Sequence, residues 1–235
     1  MKRILSLGLT LVLAAAVSGC ASTSTNSARA NNQSCGPDLA QAENMKLDLV
    51  SQLISEGNYY SALAHLENDS TKSQQALWLR AEAQRKTGLL SEAYSSYRDL
   101  SLSCMTAFGH AGMAKILATR GDVSQAHQHM LKARRLAPTN SDIRNDYGFI
   151  LLAHGDFKAA QREFMTALQL KPGHPVAIRN MVMSLILDGD SRTAIRMASN
   201  NGINSAEFKQ LERKANSFTR PALANKANLR HGAPL

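Results

Sequence analysis

Few side chains in this sequence are placed to do chemistry. Its three thiols, Cys20, Cys35 and Cys104, are the groups open to acylation or oxidation. Cys20 follows Val17-Ser18-Gly19 at the end of an uncharged stretch from Ile4 to Val17. Cys35 and Cys104 form an even pair, which in an oxidising compartment permits one disulfide. The other reading is a free thiol at Cys35 and a half-buried one at Cys104. His127 and His129 are two apart on a helical stretch, so they point to different sides and cannot hold one metal together. They read as solvent-facing. There is no phosphate-cradling glycine loop, no His-Glu-x-x-His, no cysteines paired at metal spacing and no serine on a nucleophile elbow. No enzymatic activity, cofactor, metal or small-molecule substrate is expected.

The elements around these groups explain more. Lys2 and Arg3 precede the uncharged stretch, which makes roughly 21 Å of helix, short of a hydrocarbon core about 30 Å thick. It reads as the apolar region of a secretory signal. Val17-Ser18-Gly19-Cys20 resembles the bacterial lipobox, with Val17 where leucine is usual. That resemblance implies removal of residues 1–19 and a membrane anchor of acyl chains on Cys20, each buried methylene contributing about 0.8 kcal/mol. Ala21 in place of aspartate implies, by the same resemblance, an address at the periplasmic face of the outer membrane. Residues 20–41, rich in Ser, Thr and Asn, read as the lipidated cysteine and a disordered tether. Its reach is roughly 25 Å. The formal net charge of +9 raises the question of nucleic acid. The basic residues are scattered, however, apart from Lys132, Arg134 and Arg135, which read as the solvated face of a helix; no nucleic-acid partner is expected.

From about residue 42 the chain repeats. Gly57, Gly88, Gly121, Gly155 and Gly189 recur at 31 to 34 residues, each followed five positions later by an alanine: Ala62, Ala93, Ala126, Ala160 and Ala194. Between the glycines, apolar residues return at steps of three and four, as in Phe157, Ala160, Phe164, Ala167 and Leu170, which is one helix face. Three of the glycines are followed by aspartate (Asp122, Asp156, Asp190), and Gly with Asp breaks the helix where a tight turn joins an antiparallel pair. Pro138 and Pro172 end second helices. Residues 141–174 carry Tyr147-Gly148, Leu151, Gly155-Asp156-Phe157, Ala160, Phe164, Ala167 and Pro172. This pattern resembles the tetratricopeptide repeat. The expected fold is all-α, a right-handed solenoid of about five helix pairs over 42–218. Asn204-Ser205-Ala206-Glu207 reads as a capping box opening a C-terminal capping helix, whose Phe208, Leu211, Ala215 and Phe218 share one face and suit it to closing the open end of the stack. Residues 219–235 read as a basic, disordered tail.

What the resemblance implies about a site is a concave groove lined by the first helix of each pair. Its residues would be Trp78, Glu82 and Arg85; Phe108, Ala111 and Lys115; Asp142, Asn145, Phe149 and Leu152; and Arg179, Met183 and Ile186. Such a mixture of aromatic, aliphatic and charged side chains suits a protein strand or helix. The Lys and Asn pattern with which the repeat family clamps a C-terminal carboxylate is missing. Residues 143–190, with the lipobox and the helix after the last repeat, are similar to the TadD family of tight-adherence (Flp) pilus assembly lipoproteins. That similarity implies assembly of a pilus secretion machine, with the secretin or its neighbours as partners. Repeat-bearing pilotins of type IV pili have a similar layout. An adaptor for periplasmic proteases or peptidoglycan enzymes would need the same anchor and groove.

Overall fold

The computed structural model describes residues 41–67 and 73–230, with side chains as far as 218. Cys20, Cys35, the signal segment and the tether lie outside these residues. Eleven helices and no strand occur among the described residues. They are α1 (Gln41–Ser55), α2 (Tyr59–Glu67), α3 (Gln74–Lys86), α4 (Leu90–Ser101), α5 (Thr106–Thr119), α6 (Val123–Leu136), α7 (Ser141–His154), α8 (Phe157–Leu170), α9 (Pro175–Leu187), α10 (Ser191–Asn200) and α11 (Ser205–Arg230). Helices α1 to α10 form five antiparallel pairs, each packed on the next, and none of the helices is long and apolar enough to cross a membrane.

The repeated Gly-Asp does two jobs. Gly155 closes α7 in the left-handed region at φ 86°, where only glycine is unstrained. Asp122 and Asp190 then cap the following helices, their carboxylates accepting from the amides of Gln125 at 3.0 Å and Thr193 at 3.1 Å. Asp156 departs from this pattern: its carboxylate meets His154 Nδ1 at 2.9 Å, and it makes no side-chain cap.

Close approach between helices is set by small residues opposite large rings. The fully buried Tyr97 of α4 lies against Gly112 of α5, and Phe164 of α8 lies against Gly148 of α7. A Cβ at Gly148 would sit 2.5 Å from the Phe164 ring, and one at Gly112 would sit 2.1 Å from the Tyr97 ring. The repeat alanines 62, 93, 126, 160 and 194 are all at 0% exposure, which is what lets the second helix of each pair close on the first.

Two sequence expectations are corrected at the C-terminal end. Asn204 accepts from the Glu207 amide at 2.9 Å, but the Glu207 carboxylate does not reach back to complete a capping box, because Arg179 takes it at 2.6 Å. The final helix also continues past 218 to Arg230, through the segment read as an irregular tail. Ala222, Ala224, Lys226, Ala227 and Leu229 there are good helix formers, and together they outweigh Pro221.

Gly148→Ala should lower the urea midpoint of unfolding by an amount equal to about 1–3 kcal/mol, the usual cost of overpacking a filled core. Gly155→Asn, at an open left-handed position, should cost less. An unchanged midpoint for Gly148→Ala would show that the Phe164 ring does not fill that space.

Candidate functional site

The first helices α3, α5, α7 and α9 lie side by side and present one face, on which most of the expected groove residues fall. In its N-terminal half, Trp78 of α3 and Phe108 of α5 meet edge to face, with ring centroids 5.9 Å apart. Both rings are half-buried, leaving part of each open to solvent. Beside them runs a line of charge. Glu82 accepts from Lys115 Nζ at 2.7 Å and from the Tyr97 hydroxyl at 2.6 Å on one oxygen, and from Arg85 at 2.7 Å on the other. Lys115 also stands 3.8 Å from Asp146 of α7. Asn145 donates to Asp146 at 3.2 Å, and Asn180 of α9 donates to Asn145 at 2.9 Å. Four first helices are thereby joined by one polar ladder.

Burial alone would drive the Glu82 carboxyl upward, but the Lys115 and Arg85 charges and the hydrogen bonds outweigh it and hold it down to about 2. The same carboxylate, after burial, pushes the Tyr97 phenol up. Burial also raises the Asp146 carboxyl, with Lys115 opposing. Glu82 is therefore ionised under all ordinary conditions, and its charge is already matched by its partners within the fold. Lys115 and the two rings are the accessible members.

The C-terminal half differs from expectation. Leu152 and Met183, expected to line an open groove, are 0% and 1% exposed. They belong to one apolar cluster with Leu211 and Ala215 of α11, with Phe149, Ile186, Phe208 and Phe218 packed against it. Phe218 meets Phe149 edge to face at 5.5 Å, and Arg179 pairs with Glu207. Helix α11 packs on α9 and reaches α7, and has no comparable packing on α10. It thus fills the groove face of the last two repeats. Asn145 and Ala111, also expected to line the groove, are buried, Asn145 within the ladder and Ala111 in the apolar cluster. Asp142 of α7 is exposed, and its carboxylate meets His174 at 2.9 Å.

The histidines are also placed differently from expectation. His129 meets His110 of α5 at 3.0 Å between Nδ1 atoms, while His127 meets the Tyr147 hydroxyl at 3.2 Å and stacks on His154. Two imidazoles two residues apart do point to opposite sides of α6, but each side carries a neighbouring helix rather than water. Arg134, read as part of a solvated face, pairs with Glu163 at 3.1 Å, and Arg144 pairs with the same carboxylate at 2.8 Å. Cys104 is exposed and disulfide-bonded, whereas one reading had it as a half-buried thiol. The other cysteines of the sequence, Cys20 and Cys35, lie outside the described residues. No group of three His, Cys, Asp or Glu among the described residues could hold a metal ion.

Stacked antiparallel helix pairs with a side-chain-lined inner face define a helical-repeat scaffold. A TPR repeat-containing protein of Pseudomonas aeruginosa is 30% identical to this chain over 223 residues, covering 93% of this chain and 86% of that protein. The chain belongs to the tetratricopeptide repeat proteins. Among solved structures, a thermophilic TPR protein of Thermus thermophilus superposes with a TM-score of 0.62 at 20% identity, covering 75% of this chain and 98% of that one. MamA of Desulfovibrio magneticus gives 0.50 at 13% identity, with 75% and 98% covered. No family model matches the chain.

The imidazole contacts predict a pH response. Burial first, then the Lys132 and His129 charges, lowers His110 from 6.5 to about 4; burial also lowers His127 and His129. A lowered histidine binds fewer protons folded than unfolded, so its contribution is intact above about pH 6.5 and is lost as pH falls toward 4. The urea midpoint should drop across that window, and His110→Gln should flatten the drop. Equal slopes for the two proteins would contradict this assignment.

Proposed function

We propose that this chain is a membrane-tethered scaffold that grips a segment of another protein in its inner groove. The observation that carries the reading is the half-open Trp78–Phe108 pair beside the Lys115–Glu82–Arg85 cluster on neighbouring first helices. Two rigid aromatic faces supply contact area, and a fixed cation supplies register. A small metabolite would need a concave site enclosing most of its surface, whereas this face is an extended strip crossing several helices.

The setting we propose is the periplasmic face of the outer membrane, with Cys20 acylated and the repeats assisting assembly of a tight-adherence (Flp) pilus secretion system. The lipobox-like Val17-Ser18-Gly19-Cys20 and the TadD-like stretch over 143–190 support it. A Cys35–Cys104 disulfide would pin the tether to the start of α5, and the bonded state of Cys104 favours it.

Crosslinking in living cells, followed by purification and mass spectrometry, should recover a secretin or another pilus-secretion component. Phe108→Ala, which keeps the Lys115–Glu82 pair, should reduce that recovery without loss of the protein itself. Recovery of proteases or cell-wall enzymes instead would replace the pilus assignment with an adaptor role. Cys20→Ser should move the protein from the membrane fraction to the soluble one while leaving thermal unfolding of the repeats unchanged. Retention in membranes would contradict the anchor.

A further inference from the structure

The last two repeats contain a second binding surface that the chain itself occupies. Across the first helices, the residues facing the groove change character along the stack. In α3 and α5 they include Trp78, Glu82, Arg85, Phe108 and Lys115; in α7 and α9, C-terminal to Asp142, Asn145 and Arg179, they are Phe149, Leu152, Met183 and Ile186. The apolar half would be an exposed hydrophobic strip if nothing lay on it, and α11 lies on it. The helix does so with Phe208, Leu211, Ala215 and Phe218, spaced three, four and three residues apart, which is one face of an amphipathic helix in a groove.

The way α11 is attached differs from that of every other helix after α1. Each of α2 to α10 packs on the helix before it in sequence, whereas α11 skips α10. It is joined by the short Asn201–Asn204 connection, with Gly202 at φ 72°. Its ion pair with the rest joins partly exposed side chains, Arg179 and Glu207, a kind of pair that contributes little to stability. Phe208 and Phe218 at the two ends of its apolar face remain partly exposed. Among the described residues, α11 packs substantially on α9 and α7 alone.

We infer that the α7–α9 face is a receptor for an amphipathic helix, and that α11 is its resident, exchangeable occupant. The partner segment that fits is a helix with apolar residues at i, i+3, i+7 and i+10, a small one at i+7 as at Ala215 and large rings at both ends. It carries an acidic residue in its first turn to meet Arg179, as Glu207 does. Binding of such a segment proceeds by displacement of α11, so the tethered helix lowers the apparent affinity of any competitor in trans. This rests on the groove-binding reading above and adds to it a second, apolar half with its own class of ligand.

The test needs no natural partner. A labelled synthetic peptide of residues 205–230 is titrated into the full chain and into a full-chain variant carrying Phe208→Ser, Leu211→Ser and Phe218→Ser. The variant, whose own α11 cannot hold, should bind the peptide about tenfold or more tightly than the unaltered chain does. Adding Phe149→Glu to it should abolish binding. A variant that unfolds cooperatively yet binds no peptide overturns the inference. Should the variant fail to fold, hydrogen exchange on the unaltered chain decides. Amides of α11 exchanging about tenfold or more faster than those of α7 and α9 support an exchangeable helix. Equal protection makes α11 an integral cap and overturns it. Either failure leaves the Lys115 half of the groove to be judged by partner recovery, so the two readings fall separately.

Discussion

The phenol of Tyr97 joins the packing of this protein to its groove. Its ring occupies the space left by Gly112, which sets how closely α4 approaches α5. Its hydroxyl continues to Glu82 on α3, and the same carboxylate oxygen holds Lys115 on α5. Position of the accessible cation is therefore inherited from a fully buried aromatic ring. Removing Glu82 would leave Arg85 and Lys115 without their shared partner, which costs more than an exposed ion pair contributes. The groove is consequently rigid where its charges are, and its side-chain pattern is decided by core geometry one layer beneath.

That layering divides the inner face into two halves with different physical characters. In the first, charges neutralise one another and two rings stay half-open, so a ligand gains from aromatic contact and from register against Lys115. In the second, apolar side chains need cover, and α11 provides it. A solenoid has no reason to close its own inner face, since each repeat already buries its apolar stripe against its neighbours. A C-terminal helix that packs on α9 and reaches α7 therefore covers the groove face of the last two repeats.

Local signals made most of the fold legible in the sequence. The glycine spacing, the alanine five residues on and the prolines after second helices each record a local event: a left-handed turn, a close approach, a helix stop. All of these act within one repeat. The groove residues were legible as positions, because the first helix of every pair repeats the same face. Their exposure was not, since Leu152 and Met183 are covered by a helix some 30 to 60 residues away in sequence. The histidines show the same limit. Spacing correctly separated His127 from His129 on α6, but which residues faced them depended on α5 and α7. Likewise the Asn204 cap was readable, while the diversion of Glu207 to Arg179 required knowing that α11 lies along α9. Periodicity reports what each helix shows to a neighbour; it does not report which neighbour arrives.

The central claim is that the half-open rings at the start of the groove touch another protein. A photocrosslinking amino acid placed at Phe108, compared in living cells with one at the exposed Met165 on α8, tests it most directly. The account predicts a discrete adduct of this chain with a pilus-secretion component from position 108 and none from position 165. Adducts from 165 alone would place the partner on the outer helices and contradict the groove as the site of binding.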